Sequence, residues 1–178
     1  MSIQTEENIR TKTVLAVAKR MMLAARTSPK ARGVDNLEIA LVESQTIDLL
    51  SEKMKEIGIE KNINFFIRDS ENILKATAIV LIGTKIKSMG LTNCSYCGFN
   101  NCEEKEKYPD VPCALNSNDL GIAIGSAVSI AMDGRIDNRV MFSIGNAAIE
   151  LGLLGEDVKI AFGIPLSATS KNPFFDRK

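Results

Sequence analysis

Ala78-Ile-Val-Leu-Ile82 is a continuous apolar run with no polar alternation. Such a run suits a central strand buried on both faces. Upstream, Ile63-Asn-Phe-Phe-Ile-Arg68 reads as a further strand and residues 69–75 as a helical turn. Before them, Ser44 is placed to cap a helix over 45–57, with Ile47, Leu50, Met54 and Ile57 on one face and Gly58 as its end. Leu37-Glu-Ile-Ala-Leu-Val42 reads as a short strand. Residues 6–25 read as a helix in which Ile9, Thr13, Ala16, Val17 and Met21 recur at helical spacing, and Pro29 and Gly33 punctuate the stretch that follows.

Downstream of the central run, residues 84–118 are polar, irregular and long, and a loop of that length inside a domain is usually functional or held by something else. Asn118 or Asp119 can cap a helix ending at Met132, a second helix spans about 138–151, and Val158-Lys-Ile-Ala-Phe-Gly163 is a last strand before an irregular tail. Helices alternating with strands predict an α+β chain folded as a three-layer α/β/α sandwich. The expected organisation is a single domain over 1–178 with an inserted cysteine-rich metal-binding loop at about 84–118.

Charge and composition exclude several classes. Twenty-two basic residues balance twenty-two acidic ones, so there is no electrostatic footprint for nucleic acid and no polybasic anchor for a membrane. Charged residues throughout the first twenty positions exclude a secretory signal, and the longest apolar-rich run, 120–132, is far short of the roughly 20 residues that span a bilayer. A cytoplasmic location is expected, where thiols stay reduced and serve as ligands. Histidine is absent, which removes Ser-His-Asp and Cys-His chemistry, histidine-based zinc hydrolase motifs and histidine-held haem. No glycine-rich Rossmann or P-loop element is present.

The chain's four cysteines all fall within Cys94-Ser-Tyr-Cys97-Gly-Phe-Asn-Asn-Cys102 and Cys113, at spacing C-x2-C-x4-C-x10-C. The two-residue spacer lets Cys94 and Cys97 turn toward one centre, Gly98 lets the backbone come close with its N–H groups, and Pro112 stiffens the approach of Cys113. Three readings stand: an iron–sulfur cluster on four thiolates, a structural zinc site with the same ligands, and disulfides or free thiols. Zinc ribbons more often pair two C-x2-C knuckles, and a second one is missing here. In the ordinary bacterial ferredoxin run the third cysteine follows the second by two residues, so a two-cluster ferredoxin is not the right comparison. Glu103, Glu104, Lys105, Glu106 and Lys107 between the cysteines read as solvated surface. Gly121, Gly125 and Ser129 line one stripe of their helix, suited to close helix packing or to a cofactor wall.

Cys-x2-Cys-Gly-x3-Cys with a distant fourth cysteine resembles the small 4Fe–4S domain of several anaerobic redox proteins. The cysteine loop, together with Ala24-Ala-Arg-Thr-Ser-Pro-Lys-Ala-Arg-Gly33, Asp119-Leu-Gly-Ile-Ala-Ile-Gly125 and Lys171-Asn-Pro-Phe-Phe-Asp-Arg177, resembles over nearly the whole chain an uncharacterised prokaryotic family described as ferredoxin-domain-containing proteins. The Ala24–Gly33 stretch also resembles the first-helix exit of flavin-dependent nitroreductases. That second resemblance implies a nitroreductase-like sandwich, a homodimer, and FMN with its phosphate met by Arg26, Lys30 and Arg32.

The expected function is therefore an iron–sulfur redox protein. Cys94, Cys97, Cys102 and Cys113 would hold one 4Fe–4S cluster and exchange electrons with a partner protein or a small-molecule acceptor, as a small flavin-linked oxidoreductase if FMN binds. The alternative is a non-enzymatic interaction module whose long loop is clipped by zinc.

Overall fold

The computed structural model describes residues 3–176. Its centre is the expected apolar run. Strand β2 (Ala78–Lys85) is buried from Ala78 to Thr84 and lies between β1 (Leu37–Val42) and β4 (Val158–Ser167), with the short β3 (Asp137–Asn138) beyond β4. All pairings are antiparallel, with Ile82 opposite Ile39 on one side and Phe162 on the other. Antiparallel sheets often leave one face in water; this one is covered on both.

Alternation along β2 assigns the layers, because successive strand residues point to opposite faces. Val80 and Ile82 meet α1 (Glu6–Thr27) and α5 (Ala114–Asp133), through Val14, Ala18 and Met21 of the first and Leu120, Ala123 and Ala127 of the second. Ile79 and Leu81 meet α2 (Gln45–Glu60), α3 (Asn64–Ile73) and α6 (Phe142–Glu150), through Leu50, Met54, Phe66 and Ile144. The result is the three-layer α/β/α sandwich. A short helix, α4 (Cys102–Glu106), lies in the segment between β2 and α5.

Three elements differ from the sequence-based expectation. The 63–68 segment is no strand: apart from Ile63, the residue just before α3, it belongs to that helix, where Phe66 and Ile73 share the buried face and Phe65 is left largely exposed. Gly58 does not end α2 but lies inside it. A Cβ there would stand 2.7 Å from the Ile67 side chain and 3.1 Å from its backbone N, so the glycine is what lets α3 cross close to α2. Helix α5 begins at Ala114 with Cys113 at its N-cap, so Asn116 and Asp119 sit inside the helix on its buried side.

The small-residue stripe also changes meaning. Ala123, Ala127 and Ala131 are the small residues buried against α1, whereas Gly121, Gly125 and Ser129 are exposed, with nothing within 4 Å of where a glycine Cβ would be. In the tail, Phe174 is fully buried beneath α3, while Phe175 stays exposed with the Arg139 guanidinium 5.3 Å from its ring. Arg177 lies outside the described residues. Among the described residues no helix is long and apolar enough to cross a membrane.

Candidate metal centre

The four cysteines come from three places. Cys94 and Cys97 lie in the irregular chain after β2, Cys102 opens α4, and Cys113 caps α5. Gly98 sits at φ 86°, a conformation that favours glycine, and its N–H is spent on the Ser95 carbonyl at 2.9 Å, closing the Cys94–Cys97 turn. That N–H therefore serves the turn rather than a sulfur. Asn101 caps α4 by accepting the Glu104 N–H at 2.8 Å, and the Glu104 carboxylate reaches back to the Asn100 N–H at 2.8 Å. This arrangement is close to a capping box, with the Glu104 carboxylate taking the N–H one residue before the cap. Phe99 and Tyr108 stack with centroids 5.2 Å apart, holding the two ends of this short helix together.

All four thiols are free and line one pocket, together with Ser88, Met89 and Lys105. Cys113 is buried and the other three are half-buried. Among the described residues no three Cys, Asp or Glu side chains are arranged to hold a single metal ion. The four cysteines share the lining of one pocket. Cys113 stands at the N-cap of a 20-residue helix, where its carbonyl accepts the Asn116 N–H at 3.1 Å.

Lys105 overturns the reading of its segment as solvated surface. Its side chain is buried, 2% exposed, and Nζ donates to the Ile86 carbonyl at 3.0 Å. Ser88 was missed altogether. Glu106, exposed at the end of α4, has its carboxyl held below the usual range chiefly by the neighbouring Ser88. No hydrogen bond of ordinary geometry joins them, however, and the buried Ser88 Oγ has no partner among the described residues.

Arg26, Lys30 and Arg32 are all engaged by protein oxygens. Arg26 pairs with Asp35 at 2.6 Å and donates to the Leu37 carbonyl at 3.1 Å. Lys30 Nζ donates to the carbonyls of Ala25, Arg26 and Ser28 at 3.2, 2.6 and 2.8 Å, closing the C-terminus of α1 as a cation should. Arg32, at φ 57°, reaches the cysteine segment itself, donating to the carbonyls of Met89 at 2.7 Å and Gly90 at 3.2 Å. Asn36 adds a second tie, donating to Met89 Sδ at 3.3 Å and to Asn116 Oδ1 at 3.0 Å, while Asn116 donates to the Lys87 carbonyl. The turn after α1, the root of the cysteine segment and the start of α5 are therefore one hydrogen-bonded assembly.

Known proteins resemble this chain at two levels, fold and sequence. Nitroreductase CinD from Lactococcus lactis superposes with a TM-score of 0.61 at 14% identity, covering 96% of this chain and 82% of that one. An FMN-bound nitroreductase from Bacteroides fragilis gives 0.62 at 12% identity, over 92% and 81%. At such identities the likeness shows the fold, which is nitroreductase-like. In sequence, an uncharacterized protein of Archaeoglobus fulgidus is 40% identical over 179 residues, covering 97% of this chain and 96% of its own length. A family described as "Uncharacterized protein containing a ferredoxin domain (DUF2148)" matches residues 109–177, a stretch that includes Cys113 but not the other three cysteines. With a whole-length relative at that identity and this family match, the chain belongs to the family of uncharacterized proteins containing a ferredoxin domain.

Proposed function

We propose that Cys94, Cys97, Cys102 and Cys113 together bind one 4Fe–4S cluster and that the protein serves in electron transfer. The shared pocket carries this reading: four free thiols from three separate parts of the chain line one cavity. A single zinc ion bonds sulfur at about 2.3 Å, which draws four thiolates to within about 4 Å of one another. Zinc ribbons also more often pair two C-x2-C knuckles, and a second one is missing here. The family's ferredoxin domain supports the same reading. When bound, such a cluster supplies a centre that takes up and releases electrons one at a time.

The chain's own residues would give that centre a wet side and a dry side. Cys113 and Lys105 are buried and keep water from one wall, whereas Tyr96, 80% exposed, marks the side nearest the surface. A redox partner protein or a small-molecule acceptor would approach there. The reading suits a reducing, cytoplasmic setting, in which free thiols persist.

A flavin is the second reading, favoured by the fold shared with the FMN-bound Bacteroides fragilis nitroreductase. Its phosphate would have to share Arg26, Lys30 or Arg32 with the protein oxygens they already serve. Arg32 would then join a flavin site to the cysteine segment, since it donates to Met89 and Gly90. A chain carrying both groups would be a small oxidoreductase.

The test is anaerobic purification with iron, sulfide, zinc and flavin measured per chain beside the visible spectrum. About four irons and four sulfides, with a brown absorbance that bleaches on reduction, is the expected result. Co-purifying FMN would add the oxidoreductase reading. One zinc in a colourless protein would overturn both and leave a structural clip.

A further inference from the structure

We infer that Lys105 and Ser88 set the reduction potential of the cysteine site, raising it by placing a fixed positive charge and a hydroxyl donor against the wall that the four thiolates share. The inference rests on the cluster reading above and goes beyond the choice of ligands.

Lys105 is the more telling of the two. An ammonium carries three N–H donors, and the Ile86 carbonyl at 3.0 Å is its hydrogen-bond partner among the described residues. The side chain is 2% exposed, and burying a charge is costly unless it is paired. Glu106, the adjacent carboxylate, is exposed and does not line the pocket, although its charge reaches Lys105 and Ser88 from outside. The groups that line the pocket with Lys105 and can carry negative charge are the four cysteines. Four thiolates would give this buried cation anionic partners inside the pocket, where the exposed Glu106 carboxylate acts only from outside.

Ser88 makes the same point independently. A buried hydroxyl without a partner is an exception in folded proteins and calls for an explanation. Its Oγ is buried and unpartnered, and Ser88 lines this pocket and no other described one. A thiolate or inorganic sulfide is a ready acceptor for it. Hydrogen bonds and net charge near the sulfurs are among the main determinants of a cluster's potential. Each added electron makes the site more negative, so a fixed cation and a donor both favour the reduced form.

The plain alternative is that Lys105 is a clip tying α4 to the end of β2 through Ile86. The two roles separate in a redox titration of the full chain, purified anaerobically, as wild type, Lys105→Met, Lys105→Arg and Ser88→Ala. Iron and sulfide on the unaltered chain come first; their absence overturns the cluster reading and this inference together. With the cluster present, Lys105→Met should shift the one-electron equilibrium at least tenfold toward the oxidised form, about 59 mV for one electron. Lys105→Arg, which keeps the charge, should stay near wild type. Ser88→Ala should shift the same way by roughly threefold, the scale of one hydrogen bond. Unchanged potentials in Lys105→Met and Ser88→Ala, with iron content intact, would overturn the inference while leaving the cluster reading in place. Should Lys105→Met fail to fold, Ser88→Ala decides: a lowered potential supports the inference and an unmoved one sinks it.

Discussion

Both carboxylate oxygens of Asp119 accept the backbone N–H of Ala31, at 3.1 and 3.0 Å, across 88 residues of chain. Asp119 is buried inside α5 and Ala31 opens the 3-10 turn Ala31–Gly33. The contact joins the two stretches, one after α1 and one in α5, that stand out in the sequence beside the cysteines. The next residue, Arg32, then holds Met89 and Gly90 at the root of the cysteine segment.

Asp119→Ala should therefore destabilise the protein by about 1–3 kcal/mol, the range for leaving a buried donor without its partner. Denaturant unfolding should show a lower midpoint at an unchanged slope. An effect below about 0.5 kcal/mol would mean that water replaces the carboxylate there.

The pocket should be separable from the fold. Both apolar layers are built chiefly from β1, β2 and β4, from α1, α2, α3, α5 and α6 and from Phe174 of the tail, without residues of the cysteine segment between 90 and 112. Cys113→Ala, or exhaustive chelation, should remove the bound iron yet leave the far-UV circular dichroism nearly unchanged. Loss of the helical signal together with the iron would show that the cysteine site holds the sandwich together.

Two glycines should respond in opposite directions. At Gly145 a Cβ would stand 1.8 Å from the Ala161 carbonyl oxygen, because α6 crosses β4 at that point. Gly145→Ala should cost about 3 kcal/mol or more, or prevent folding. Gly125, exposed in α5 with nothing within 4 Å of a Cβ, should gain up to about 1 kcal/mol as alanine. Thermal unfolding of the pair tests both the crossing and the openness of that face.

Acid should loosen the turn after α1. Burial pushes the Asp35 carboxyl up, but the Arg26 hydrogen bond, the Leu37 N–H and the Arg26 and Lys30 charges together hold it below its ordinary 3.8. A depressed carboxyl contributes stability that is fully present above its unfolded pKa and is lost as pH falls through the folded one. The contribution of Asp35 should thus persist at neutral pH and disappear below about pH 4. Asp35→Asn should lower stability at pH 7 and flatten the acid limb of the stability curve. An unchanged acid limb would show that Arg26 and Asp35 are not coupled in solution.

What the sequence determined by itself was whatever depends on neighbours along the chain. The uninterrupted run at 78–82, with Ile79, Val80 and Ile82 β-branched, suits a strand covered on both faces, and the existence of α1, α2 and α5 follows from apolar residues at helical spacing. The four-cysteine constellation was legible for the same reason, since its spacing is a local fact. Ile63-Asn-Phe-Phe-Ile-Arg68 was not, because a short apolar run fits a strand or a helix equally well until its partner is known. That partner is α2, admitted by Gly58, whose role depends on a helix crossing that no local pattern encodes. Tertiary structure alone decided which stripe of α5 is buried, since Ala123 and Gly125 are both small and only the position of α1 separates them. It also decided that Lys105 is buried while its charged neighbours Glu103 and Lys107 are exposed. A charge is hidden or bare according to what the chain folds over it, and the chain over Lys105 arrives from the end of β2, nineteen residues earlier.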